Sequence, residues 1–410
     1  MHDKPRLLRI TTASISLKLL LKGQFTFFQQ QGFEVLTVSA EGPEVKELMS
    51  EGVQHQIVPM TRMITPIQDA ICLWQLIRVI RTFKPHIVHT HTPKAGLLGM
   101  MAAWVCRVPV RLHTVAGLPL MEATGLKRAV LKWTERITYA SAHQVYPNSR
   151  GLLEFMVKEF HLANSRVQGN KGTLPNNESS AMEKIKYKII GKGSSNGIDI
   201  RHFSPTPELL EAAKRIRKQY QVPDDAVVFS FVGRVVKDKG IVELVEAFRK
   251  LVASAEARLI LVGPYEQELD PLPHDVIHYI QNDPQVIAAG FQRDVRPWLL
   301  ASEVFVFPSY REGFPNVVMQ ATCLQLPSIV SDINGCNEII EDQVSGLIVP
   351  SKNAKALYDA MQLMTQHKPL RTSYAIKAQE FVRTNFDQQF VWHELLKEYK
   401  SLIATPATNE

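Results

Sequence analysis

The chain has 410 residues, of which 45% are hydrophobic, 8% aromatic and 21% charged, so it is long enough for two domains and unlike a disordered, collagenous or disulfide-stapled chain. Its net charge of +7 is one-sided: residues 1–200 hold 25 Lys/Arg against 14 Asp/Glu, a net +11, whereas residues 201–410 hold 22 against 26, a net −4. That asymmetry directs the first half toward an anionic partner, either a membrane surface or a phosphate-bearing substrate. No zinc-finger, RNA-binding or heptad pattern accompanies it, so nucleic acid ranks last.

The N-terminus (M-H-D-K-P-R-L-L-R-I-T-T) puts charges where a secretory apolar core would begin, so no signal peptide is expected and the protein is expected inside the cell. Short β-branched runs then alternate with amphipathic stretches, the pattern of an α/β protein with parallel sheets and crossover helices. In the first half, strands are predicted at Leu7–Thr12, Glu34–Ser39, His55–Pro59, His86–His91, Val110–Thr114 and His143–Pro147, with the clearest helices at Ala70–Phe83 and Lys127–Ala140. The longest apolar run, Ala95–Cys106, falls short of the ~18 to 20 residues of a membrane span. Gln168–Ser180 is polar, has no apolar period and reads as a surface loop.

Gly191–Pro207 concentrates Gly, Ser, Asn and Pro as a hinge would, which places a domain boundary near Gly193. Residues 1–193 would form the first domain and 194–384 the second, with a helix at about 385–403 packing back on the first. Strands follow at Val227–Gly233, Arg258–Gly263, Val286–Gly290, Val304–Pro308, Ser328–Ser331 and Gly346–Val349. Helices are predicted at Ile241–Ser254, Val295–Ala301, Val317–Leu324 and Ala354–Thr365. Cys72, Cys106, Cys323 and Cys336 lack metal-ligand spacing and read as reduced thiols.

The strongest site signal is F-V-G-R-V-V-K-D-K-G at Phe231–Gly240. A buried strand ends at Gly233 and delivers Arg234 and Lys239 to the carboxyl edge of the sheet, where open α/β folds bind ligands and where two cations suit a diphosphate. Alone, the pair could equally be solvated surface charges. A second constellation, Y-R-E-G-F-P-N-V-V-M-Q at Tyr310–Gln320, runs from a strand through a loop into a helix opening near Asn316. The N–H groups of that helix start and of the Gly313 turn suit phosphate, and Glu312 suits hydroxyls. By itself Glu312 could also be a first-turn acid facing the helix dipole.

In the first half, Lys18, Lys22, Gly23 and Gln24 follow the first strand, where a βα loop borders a ligand site, and are candidates for ligand contact. His89, His91 and Lys94 follow an apolar strand. A metal reading needs a third ligand at matching spacing, which is absent, so contact of His91 and Lys94 with acceptor or diphosphate stands beside a structural reading. Gly125–Ala140 combines Lys127, Arg128, Lys132 and Arg136 with Leu126, Val130, Trp133 and Ile137. It reads either as an ordinary packed helix or as one lying on an anionic membrane, and the charge asymmetry favours the membrane.

These motifs, with N-G-I-D at Asn196–Asp199, G-F at Gly290–Phe291 and S-G-L-I-V-P at Ser345–Pro350, resemble the family 4 glycosyltransferases over nearly the whole chain. S-L-K-L-L-L-K-G-Q (Ser16–Gln24), H-T-H-T-P-K-A-G (His89–Gly96) and L-H-T-V-A-G-L-P (Leu112–Pro119) are similar to the bacterial polysaccharide and N-glycan branch, which acts on polyprenyl diphosphate. The resemblance implies the GT-B fold, two Rossmann-like doubly wound domains facing across a cleft. It also implies a retaining, metal-independent transferase with no cofactor and a UDP-sugar as co-substrate, with 1–193 the acceptor domain, on which Lys18, Lys22, Gly23, Gln24, His91 and Lys94 are the acceptor-side candidates, and 194–384 the nucleotide-sugar domain; the charge asymmetry adds the inner face of an anionic cell membrane as the expected place of work. By resemblance, Arg234 and Lys239 hold the donor diphosphate, Glu312 reads donor-sugar hydroxyls, and Gly233, Asn196, Gly290, Phe291, Gly313, Phe314, Pro315 and Asn316 line the donor. His113 would approach the transferred sugar.

The family pattern has a second Glu eight residues after the first, at the ribose, and here that position is Gln320, which lacks charge assistance. The reading is thus a hexosyl- or N-acetylhexosaminyltransferase acting on a polyprenyl-diphosphate-linked saccharide. Its rivals are a non-catalytic nucleotide-sugar-binding subunit, suggested by Gln320, and an epimerase of the same fold, for which no acid/base constellation is seen. The paired carboxylates of a glycosidase are not found at a suitable spacing, and no Asp-x-Asp motif occurs.

Overall fold

The computed structural model describes residues 4–121, 123–162, 167, 186–266 and 270–404, so the Gln168–Ser180 stretch lies outside the described residues. The chain divides into two units, Met1–Gly197 with Gln389–Glu410, and Ile198–Gln388.

The first unit holds one parallel sheet of β1 (Arg6–Ile10), β2 (Glu34–Ser39), β3 (Gln54–Ile57), β4 (Ile87–His91), β5 (Val110–Val115) and β6 (Gln144–Pro147), in the order β3-β2-β1-β4-β5-β6. The second unit repeats the plan with β7 (Val227–Val232), β8 (Ala257–Val262), β9 (Val286–Gly290), β10 (Val304–Phe307), β11 (Ser328–Ser331) and β12 (Gly346–Val349), in the order β12-β11-β10-β7-β8-β9. Each sheet reverses its winding once, between β1 and β4 and between β7 and β10. In doubly wound folds the crevice at such a reversal, beyond the strands' carboxyl ends, is where ligands bind.

All twelve predicted strands are present, with ends moved by at most two residues. The helix Pro93–Val105 fills the gap between β4 and β5, as the alternation predicts, and it is apolar nearly all round: Ala95, Gly96, Leu98, Gly99, Met100, Ala102 and Ala103 are buried.

The units part at Gly197 rather than at Gly193 because the residues in between are tied to the first unit. Ser194 N donates to Asn148 O at 2.7 Å, and the Asn196 amide bonds Lys22, Gln24 and Trp392. Ile198 is the first residue to pair with the second unit's end, exchanging backbone hydrogen bonds with Phe386 and Gln388. The helix Gln388–Ala404 then packs Trp392, Leu395, Leu396 and Tyr399 into the first unit, against Leu7, Phe25 and Phe28.

Candidate active site

In the second unit the cation-bearing loop is shaped by close backbone approaches. Gly263 has φ +146, and a Cβ there would overlap the Gly233 carbonyl oxygen, so the ends of β7 and β8 touch as only glycine allows. Gly240, φ +71, would likewise drive a Cβ into the Pro308 carbonyl. Between Gly233 and Gly240 the chain turns through Lys237–Lys239, and it then enters the helix Ile241–Val252, which holds Lys239 against the segment that leaves β10.

There Lys239 Nζ meets Glu312 Oε1 at 2.5 Å, and Ser309 Oγ donates to the same carboxylate oxygen at 3.0 Å. The two charges are 14% and 19% exposed, so their mutual attraction is only partly screened. Arg234 pairs with Glu266 at 2.8 Å and with Asp238 at 3.5 Å. Burial pulls its guanidinium down, but the Glu266 hydrogen bond and the Asp238 and Glu266 charges outweigh that, leaving its pKa raised. Both cations are thus held in place by carboxylates at the carboxyl edge of this sheet.

Beyond Glu312, Gly335 (φ +75) lies under the turn: a Cβ there would come within 2.7 Å of Gly313 O and 2.8 Å of Phe314 Cα. Phe314 itself is buried, its ring 5.1 Å from that of Phe386, so the stretch presents its backbone and Asn316 rather than that ring. Asn316 opens the helix Asn316–Cys323 directly after Pro315, and Gln320 lies half-buried one turn on. Gly290, φ +65, ends β9, and Phe291 beside it is largely exposed.

Sequence reasoning missed a neighbouring network. Tyr310 donates to both Glu243 carboxylate oxygens at 2.8 Å, Lys352 Nζ lies 4.7 Å from the Tyr310 ring centre, and Asp238 N donates to Asp270 at 2.6 Å. These residues are spread over more than a hundred positions, and no local spacing signals them.

In the first unit several predicted ligand contacts prove to be structural. Asn196 Nδ2 donates to Lys22 O at 3.1 Å, while its Oδ1 accepts from Gln24 Nε2 at 3.0 Å and from Trp392 Nε1 at 2.7 Å. Asn196 and Gln24 are thus buried in one amide knot, and the donor role for the first and the acceptor role for the second are corrected. Gly23 sits under Trp392, whose Cη2 is 2.8 Å from where a Cβ would stand. Lys94 is paired with Asp69 at 2.7 Å and is 12% exposed, and Lys18 pairs with Glu47. Among that acceptor-side set, Lys22 keeps an exposed side chain.

His113 is buried, with Nδ1 2.8 Å from Thr90 Oγ1, and burial pushes its pKa down to about 3, so the ring is neutral. Gly96 lies so close to this ring that any Cβ would strike it. His91 is buried beside Arg9, Nε2 to Nη2 at 2.7 Å, and stacks on His89 at 4.6 Å. On the helix Gly125–Ser141, Arg128 and Lys132 are both paired with Glu159, at 2.5 and 2.9 Å.

Two family models match the chain: "Glycosyl transferases group 1" over residues 226–367 and "Glycosyl transferase 4-like domain" over residues 28–168. The chain is similar to the capsular polysaccharide biosynthesis glycosyltransferase CapM of Staphylococcus aureus, with 30% identity covering 97% of each chain. It is also similar to the Escherichia coli UDP-Gal:alpha-D-GlcNAc-diphosphoundecaprenol alpha-1,3-galactosyltransferase, with 26% identity covering 88% of this chain and 89% of that one. Among solved structures, Anabaena Alr3699/HepE in complex with UDP and glucose shares the fold, with TM-score 0.76 and 16% identity over 97% of this chain and 100% of that one.

Proposed function

From a chain that belongs to the group 1, family 4 glycosyltransferases and has their GT-B class of two Rossmann-like units, we propose a retaining transfer of a sugar from a UDP donor to a polyprenyl-diphosphate-linked saccharide in bacterial surface-polysaccharide or glycan assembly. In this reading the sugar is an N-acetylhexosamine. The observation that carries the proposal is the Lys239–Glu312 pair with Arg234 beside it at the carboxyl ends of β7 and β10.

As the bond from sugar to UDP breaks, negative charge grows on the diphosphate. Lys239 and Arg234 then exchange their carboxylate partners for phosphate oxygens, and N–H groups at the start of the helix Asn316–Cys323 add their dipoles. Glu312, released from Lys239, accepts from the sugar hydroxyls. These protein cations supply the stabilisation that a bound metal ion would otherwise provide, and the transfer is proposed to need none.

A panel of UDP-sugars with a polyprenyl-diphosphate acceptor, each reaction run with and without chelator, tests this through UDP release and the anomeric configuration of the product. UDP binding without release in the presence of any lipid acceptor would instead support a binding subunit, the reading that Gln320 favours.

The site of work in this proposal is the surface of an anionic membrane. No helix among the described residues is long and apolar enough to cross a bilayer. The helices Pro66–Phe83, Pro93–Val105 and Gly125–Ser141 pack side by side. They expose Ile67 (82%), Ile71, Trp74, Trp104, Leu126 (81%) and Trp133 (64%), in the half of the chain with net charge +11. Apolar and Trp side chains beside Lys127 and Arg136 suit a headgroup boundary. The double substitution Ile67→Glu and Trp133→Glu should abolish sedimentation with anionic liposomes while leaving transfer to a water-soluble acceptor unchanged. Undiminished sedimentation would remove the membrane from the proposal.

A further inference from the structure

Arg9 on β1 is fully buried, and among the described residues no carboxylate bonds it. Its partners are neutral: Nη1 donates to Tyr399 Oη at 2.7 Å, Nη2 meets His91 Nε2 at 2.7 Å, and its face lies 6.0 Å from the Phe25 ring centre. Its Nε has no partner. The nearby carboxylate of Glu398 is occupied by Lys188 and Tyr146. A guanidinium keeps its charge, and an uncompensated buried charge is costly. Burial and the Arg9 charge hold His89 and His91 well below the ordinary histidine range, so both rings are neutral and add no counter-charge.

Because a guanidinium only donates, Arg9 orients everything bonded to it. His91 Nε2 must accept, so Nδ1 carries the ring proton, and that Nδ1 is buried with no partner. Tyr399, its oxygen accepting from Arg9, donates its own O–H to His89 Nδ1 at 2.5 Å. His89 Nε2–H then donates to Thr114 Oγ1 at 2.7 Å, and the Thr114 proton is left over. Both chains of donors end in one place. His91, Thr114, Asn148 and Ser195 line a cavity of about 20 Å³ at the carboxyl edge of the first sheet, and Ser195 Oγ and Asn148 Oδ1 there also lack partners.

We propose that this cavity is an anion site, in which one halide ion or one phosphoryl oxygen takes the His91 Nδ1–H, Thr114 and Ser195 donors and balances the buried charge of Arg9. The volume suits a single heavy atom, since about 10 to 15 Å³ accommodates one water. Asn148 Oδ1, the acceptor in the set, bonds the hydroxyl or water that accompanies the anion. The site goes beyond the transfer reading and is read by anion binding, so either can fail alone.

Crystals of the full chain grown in sodium bromide test it directly: an anomalous peak within hydrogen-bond distance of His91 Nδ1 and Thr114 Oγ1 is expected. In solution, replacing a bulky organic anion by bromide or inorganic phosphate at constant ionic strength should raise the unfolding temperature, growing with the logarithm of anion concentration. Arg9→Met, which keeps the volume without the charge, should remove both effects. If that variant does not fold, the wild-type bromide peak still decides. Farnesyl diphosphate set against farnesol separates the sources: displacement of bromide by the diphosphate alone identifies a substrate phosphate, and persistence of bromide identifies a resident inorganic ion. No bromide peak, with unfolding indifferent to the anion, overturns the site.

Discussion

The two units have the same strand order but opposite interiors. Every ionisable side chain among the buried described residues with a charge or an imidazole (Arg9, His89, His91, Arg111, His113 and Glu135) belongs to the first unit. The second unit's buried polar groups are serines, a threonine and one glutamine, and its core is one continuous apolar cluster. The second unit keeps its charges at the surface edge: Arg234, Lys239 and Glu312 stand on a glycine-shaped loop over that apolar support. One plan of folding thus serves two electrostatic designs, a rigid neutral block that presents charge and a block that buries it. The cost of each design appears in a different measurement.

Acid should separate the units most strongly. His113 is held at about 3 against an ordinary 6.5, chiefly by burial, so the fold favours the neutral ring. A depressed histidine contributes stability that is complete above 6.5 and is lost as pH falls from there toward 3, on the order of 4 kcal/mol from this residue. His89 and His91 act in the same direction. Hydrogen exchange across that window should show β4 and β5 losing protection while β7 and β10 keep theirs. Equal loss in both units would break the comparison.

The next effect lies in the second unit. Lys239→Ala and Arg234→Ala should each lower turnover by roughly 10² to 10³, because each removes a cation facing the leaving diphosphate. The apolar core beneath should leave the unfolding temperature almost unmoved. Near-normal turnover at saturating donor would take these cations out of the site.

The smallest effect sharpens the electrostatics of that edge. Gln320→Glu should tighten UDP binding by about 1 kcal/mol if the position meets the ribose, since a charged acceptor exceeds a neutral one by about that amount. Turnover should change little, because ribose contacts are the same in ground and transition states. Calorimetric titration decides between this and unchanged or weaker binding, which would give Gln320 another partner.

Strands were legible because a parallel sheet buried on both faces writes itself as runs of β-branched residues such as Val227–Val232, and the cation-bearing loops of the second unit were legible because glycine and cation spacing there is local. Side-chain partnerships across the chain were not. Asn196 was marked as a ligand contact, yet its amide closes a knot with Trp392 from the last helix, and Lys94 answers to Asp69 on the helix before it. The same residue types serve ligand and structure, and only the partner distinguishes them.

The amino-acid order by itself determined that this chain folds as two doubly wound α/β units and where each strand delivers its polar residues, because periodicity and glycine placement act over neighbours. The tertiary structure alone decided which of those polar residues remain available. Arg9 and His91, which share a hydrogen bond, are 82 residues apart, and His89 and Tyr399 are 310 apart, so what surrounds a buried charge is settled only by the fold.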